Sequence, residues 1–245
     1  MTSETTGPRV PIGLTTAVGL SLIILIGLGL WQLQRLSWKQ GLLRDIATAR
    51  AAAAVMVTPD QLEGSRQSFA KVTAICPGLA TAPFIELYGL VDGEAGVRLI
   101  SACPMPGLRQ PLLVDRGFVA DTVSARPVVN ADDRRPVGVR GYLRLSEARN
   151  VLSPPDDPSA RRYYVRDTAI LGRALGIARP GQIMLVAETS SNPDWKALHP
   201  QALPPELPNN HLSYALTWFG LALGLAGVYA AMLRRRVMAN GSMAK

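Results

Sequence analysis

Asn209-Asn210-His211-Leu212-Ser213-Tyr214-Ala215-Leu216-Thr217-Trp218-Phe219 opens the second of two apolar runs that lie near the ends of the chain. From residue 211 to residue 233 no Asp, Glu, Lys or Arg interrupts it. The first run, residues 12–31, is equally free of charge and leads into Trp31-Gln32-Leu33-Gln34-Arg35, then Trp38-Lys39. About 20 apolar residues of helix cross about 30 Å of hydrocarbon. Two spans put everything between them on one side of the bilayer, so both polar-aromatic collars face that side. The expected fold class is therefore membrane α+β: two transmembrane helices flanking one antiparallel β-rich extramembrane domain with a packed helix.

Composition agrees. Of 245 residues, 48% are apolar but only 6% aromatic, and the formal net charge is +8. The positive mean hydropathy fits membrane segments better than a large soluble core. No long basic block interleaves with aromatics, so nucleic acid is not expected as a partner. Membrane lipid or an anionic ligand accounts for the excess charge. Cys76 and Cys103 are far apart and form no Cys-x-x-Cys motif. They can pair in an oxidising compartment or remain buried thiols, and spacing alone leaves both open.

Residues 1–11 read as a short polar tail. The run at 12–31 is too long for a signal-peptide core, and no small-x-small cleavage site follows it. Gly13, Ala17, Ser21 and Gly29 fall on one four-residue row, where small side chains let another helix approach. Trp31, Arg35 and Trp38 share one helical face. That face is either a surface for an anionic group or an interfacial aromatic belt, with Arg35 and Lys39 reaching lipid phosphates. The helix is expected to continue through the alanines at 51–54 and to stop at Thr58-Pro59.

The middle, within an extramembrane domain at 32–210, turns strand-like. Ala70, Val72 and Ala74 alternate with Lys71 and Thr73. Strands are expected at 84–90, 97–101, 112–119 and 183–189, and most clearly at 137–145, where period two runs unbroken. Gly and Pro clusters punctuate them at hairpin-like intervals. A helix is expected at 167–175, capped by Asp167 or Thr168 and ended by Gly176. The antiparallel sheet is expected to be strongly curved or partly closed. Residues 193–208 are proline-rich and lead back to the second helix at 211–233, which Asn209 or Asn210 can cap. Gly220 and Gly224 offer a small pair for the first helix. Arg234-Arg235-Arg236 then place the tail at 234–245, and with it both termini, in the cytoplasm. Arg35, Lys39 and Arg44 sit on the far side against that rule. The arginine triplet outweighs them, because whole domains cross membranes largely regardless of charge.

The search for chemistry is mostly negative. The chain has no Gly-x-Ser-x-Gly elbow, phosphate loop, His-Glu-x-x-His or dinucleotide fingerprint. An enzyme is not expected. Asp115 can act as an acid or base, but a charged strand end at a turn is the commoner meaning of Asp115-Arg116-Gly117. Only His199 and His211 exist, which excludes an all-histidine metal site within one chain. His211 lies at the outer start of the second span, with Tyr214, Ala215 and Trp218 at helical spacings. One imidazole there can ligate haem iron, and Arg35 can pair with a propionate. The alternative is an interfacial histidine with belt aromatics around it. His199 reads as a loop residue.

At these residues the chain resembles the surfeit locus protein 1 family of cytochrome c oxidase assembly factors. Trp31-Gln32-x-x-Arg35 resembles the family's segment after the first span. Val114-Asp115-Arg116-Gly117-Phe118-Val119 resembles its Arg-Gly-Trp motif, with Phe118 in place of the tryptophan and Ala120 where proline is common. Asn209 to Phe219 resembles its entry to the second span, and is the longest match. The resemblance implies a membrane-bound assembly factor that helps haem a reach subunit I of the oxidase. His211 is then the candidate iron ligand, and Trp31, Arg35, Tyr214 and Trp218 are candidate haem contacts. Subunit I and haem a synthase are the implied partners. With no long Arg- and Ser-rich transit segment ahead of the first run, a bacterial-type member in the inner membrane with a periplasmic domain is expected. A haem-free scaffold that stabilises subunit I during maturation is the alternative.

Overall fold

The computed structural model describes residues 11–59, 62, 69–203 and 209–242. Apart from Pro11, the tail expected at 1–11 lies outside them. The chain divides into two compact units, one of residues 1–44 with 206–245 and one of residues 45–205.

The first unit is an antiparallel helix pair. Helix α1, Ile12–Ala51, belongs to it up to Arg44. Its partner, His211–Ser242, is numbered α3 because a short helix precedes it in the chain. Both are long and apolar enough to cross a membrane. Contacts run antiparallel along the pair. The hydroxyls of Thr15 and Tyr229 share a hydrogen bond, the Phe219 ring fills the place of a side chain at Gly29, and Gln32 meets His211. A Cβ on Gly29 would lie 2.5 Å from that ring. Of the expected small row, Gly29 makes the close approach while Gly13 faces open space. Gly220 and Gly224 also face open space, contrary to the expected small-on-small contact. The seam on α3 instead carries Ala215, Phe219 and Ala222, spaced four and three apart, with both alanines buried.

The second unit is built on one eight-stranded sheet in the order β1-β2-β6-β8-β5-β4-β3-β7. The strands are β1 Val55–Met56, β2 Lys71–Pro77, β3 Phe84–Val91, β4 Glu94–Cys103, β5 Leu112–Ala120, β6 Pro136–Leu145, β7 Arg162–Tyr163 and β8 Ile183–Ala187. The sheet is mixed rather than antiparallel. Three pairs, β1 with β2, β3 with β7 and β5 with β8, are parallel. Topology forces the central exception. Strands β5 and β6 run in opposite directions, and β8 inserts between them, so it must be parallel to one.

Helix α2, Thr168–Ala174, forms as expected. The Asp167 carboxylate accepts from the amides of Ala169 and Ile170, and Gly176 follows at φ 80°. It covers one face of the sheet, where Leu171 packs with Ile85, Leu87, Ile100, Leu113 and Met184. The other face buries Val72, Val114, Val139, Leu143 and Leu185, among others. With both faces covered, β8 is buried at every residue, which explains its unbroken apolar reading. Cys76 and Cys103 form a disulfide within this core, joining the ends of β2 and β4. Helix α1 ends at Ala51, short of the expected 51–54 run, because the chain turns at once to lay β1 beside β2.

Candidate functional site

At one end of the helix pair the two collars touch through Gln32 of α1 and His211 of α3, while Trp31, Arg35 and Trp38 group on α1 and Tyr214 and Trp218 follow His211 on α3. His211 is the first residue of α3, and its Nδ1 lies 2.8 Å from Gln32 Oε1. With the amide oxygen as acceptor, Nδ1 carries the proton, and Nε2 meets no hydrogen-bond partner among the described residues. This arrangement orients ligating histidines in metal sites generally. Gln32 was legible in the sequence only as a motif position. The signal that could have found it is its place one residue beyond Trp31, on the helix that must face His211.

Arg35 lies one helical turn further along α1. Its guanidinium carbon is 6.0 Å from the Trp31 ring centroid and 5.3 Å from that of Trp38. Such contacts favour the cation by about 0.5–1 kcal/mol at exposed sites, and they keep the guanidinium near two indoles. Arg35, Trp31 and Tyr214 are exposed, while His211, Gln32 and Trp218 are half-buried. Ala215, one turn after His211, is fully buried in the helix seam. The set offers one open imidazole nitrogen, one aromatic-braced cation and several apolar ring faces. The chemistry of these residues would suit a haem: a nitrogen for iron, a cation for a propionate and flat ring surfaces. Among the described residues no cluster of three or more His, Cys, Asp or Glu could hold a bare metal ion.

The second motif, Asp115-Arg116-Gly117, is not a charged turn. It lies inside β5 at a bulge, where Arg98 faces Phe118 but Ile100 faces Asp115. The extra residue rotates consecutive charged side chains into the interior. Arg98 Nε donates to Asp115 Oδ2 at 2.5 Å, and both groups are buried. Burial opposes the Arg98 charge, but the Asp115 carboxylate outweighs it and holds the guanidinium above its ordinary value. Arg98 also donates to the Gln201 amide oxygen.

Arg116 is fully buried and has no carboxylate partner among the described residues. It donates to Ser191 Oγ at 3.0 Å, the Ala80 carbonyl at 2.8 Å and Ser101 Oγ at 3.5 Å. Burial pushes its pKa down to about 10. Gly117 has φ 134°, and its backbone lies against the carbonyl of His199. His199 in turn exchanges two 2.8 Å backbone hydrogen bonds with Phe118. These charges clamp the segment after β8 onto the sheet, and the fold consumes them.

A model of the SURF1 family matches residues 20–223. The chain belongs to the SURF1 family. Among relatives, surfeit locus protein 1 of Mus musculus is 26% identical over 230 residues, covering 86% of this chain and 72% of that protein. The Homo sapiens protein of the same name is 27% identical over 217 residues, 80% and 69% of the two chains. A SURF1-like protein of Rickettsia conorii is 27% identical over 228 residues and 91% of each chain. SURF1 proteins are known as oxidase assembly factors, and the family match includes both the helix-pair site and the buried β5 motif.

Proposed function

We propose that this chain is a membrane-bound assembly factor for cytochrome c oxidase, assisting haem a delivery to or insertion into subunit I without catalysing a reaction. The observation that carries this reading is the Gln32–His211 hydrogen bond. When bound, haem a supplies an iron centre that accepts one imidazole nitrogen. His211 presents Nε2 for it, and Gln32, by holding the proton on Nδ1, orients the ring. Arg35, braced by Trp31 and Trp38, pairs with a propionate. Tyr214 and Trp218 supply ring faces. A single neutral ligand suits a carrier, because release must follow capture. Haem a synthase is the fitting donor and subunit I the recipient.

Insertion of both long helices in a bilayer is supported by their surfaces. Ile23, Ile24, Leu223 and Val228 are each at least 60% exposed, an apolar coat that water does not tolerate at this extent. The bacterial inner membrane with a periplasmic sheet domain is supported by the disulfide, which belongs to an oxidising compartment. Arg234, Arg235 and Arg236 support cytoplasmic termini.

The test is to remove the gene, purify the remaining oxidase and measure haem a per subunit I. Underloaded subunit I, restored by the wild-type chain, is expected. Fully loaded subunit I at reduced abundance contradicts delivery and favours a haem-free scaffold.

A further inference from the structure

The sheet unit holds an open cavity of about 590 Å³ that the haem reading does not use. One wall is the last turn of α1, where Ala47 and Ala51, four residues apart, leave a smooth surface beside Arg50. The floor comes from two paired strands, with Lys71 at the start of β2 and Arg140 in β6. Lys71 faces Tyr142 and Thr73 faces Arg140, so Lys71 and Arg140 are diagonal neighbours on one face. Like charges so placed repel. A third cation, Arg50, adds to them.

Local compensation is thin. The lining contains one carboxylate, Glu188, and its Oε1 accepts from the Leu203 amide at 3.3 Å. Among the described residues it forms no ion pair with Arg50, Lys71 or Arg140. Lys71 Nζ donates one N–H to the Arg50 carbonyl at 2.8 Å, which leaves two for a ligand. Three cations against one carboxylate leave the cavity at +2.

We propose that this cavity binds a phosphate group, carried by a phospholipid or by a soluble phosphate ester. Two guanidinium forks and an ammonium, arriving from a helix and two strands, match the several oxygens of a tetrahedral anion. A carboxylate, planar and with two oxygens, is satisfied by one arginine. The volume leaves room over the alanine wall for the esterified group.

The test uses the full-length chain in neutral detergent, with Arg50→Gln/Arg140→Gln, Arg50→Lys/Arg140→Lys and, as a control elsewhere on the surface, Arg134→Gln. Calorimetry with inorganic phosphate and with sn-glycerol 3-phosphate probes the soluble source. Native mass spectrometry after reconstitution in phosphatidylcholine, with and without phosphatidylglycerol, probes the lipid source. Wild type and Arg134→Gln are expected to bind at least one probe. The glutamine pair should bind it at least tenfold more weakly, and the lysine pair should fall between. Retained phosphatidylglycerol without binding of the soluble phosphates assigns the lipid source, and the converse assigns the soluble one. Near-UV circular dichroism verifies folding; if the glutamine pair fails it, weakened binding by the folded lysine pair decides. Failure of wild type to bind any probe, or folded variants that bind as tightly as wild type, overturns the proposal.

Discussion

The two histidines divide the molecule's labour. His211 is engaged through its ring: Nδ1 is held by Gln32 at 2.8 Å, and Nε2 has no partner among the described residues. His199 works through its backbone: its amide and carbonyl pair with Phe118, and its carbonyl packs on Gly117, while its ring is exposed. One residue type thus presents a ring nitrogen in the helix pair and a strand-like backbone in the sheet domain. A neighbour that sets a histidine's tautomer, with the other nitrogen left unspent, orients the ring for ligation.

The largest expected effect tests the sheet side. Asp115→Leu leaves Arg98 buried without its carboxylate, which should cost about 3–5 kcal/mol. Arg98 also holds Gln201, two residues past His199, so the whole clasp should loosen in thermal unfolding. Gly117→Ala comes next, at about 3 kcal/mol. Its φ of 134° disfavours a side chain, and the new Cβ would sit 2.6 Å from the His199 carbonyl oxygen. A tolerated alanine would break the idea that the His199 backbone is structural.

On the helix side, Gln32→Leu should leave the fold intact but lower haem a retention by about 10–100-fold. Nitrogen-15 shifts of the His211 ring in the haem-free protein should move from the Nδ1–H tautomer toward a mixture. The smallest effect is a pH control that touches neither histidine. Asp133 accepts from the Arg135 amide and guanidinium and from the Thr81 hydroxyl. Those bonds, Arg135 first, hold its carboxyl below the ordinary 3.8. Its stabilisation is therefore complete above that value and lost as pH falls below it. The melting difference between wild type and Asp133→Asn should shrink from about pH 4 downward.

Much of this was legible in the sequence because it rests on local rules. Charge-free runs marked both long helices, alternation marked β6, and Asp167 with Gly176 bracketed α2. What escaped depends on distant partners. Asp115-Arg116-Gly117 looked like a turn because three such residues in a row rarely enter a core, and only a bulge opposite Leu99 lets them do so. The sheet looked antiparallel because hairpin spacing describes β3, β4 and β5. It says nothing of β8, which arrives after α2 and enters between strands already laid. Cys76 and Cys103 could not be joined by spacing, since their meeting follows from the order of the strands. At the helix-pair site, Trp31, Arg35, Tyr214 and Trp218 were readable as a collar, but Gln32's role appears only when the helices are set side by side.

The measurement that tests the central claim most directly is an optical spectrum. The chain is purified in mild detergent from cells that make haem a, beside His211→Ala and His199→Ala, with folding of all three verified by circular dichroism. A haem a band with wild type and His199→Ala, absent from folded His211→Ala, is the predicted result. Equal haem in all three, or none in any, would contradict the assignment of His211 as the ligand.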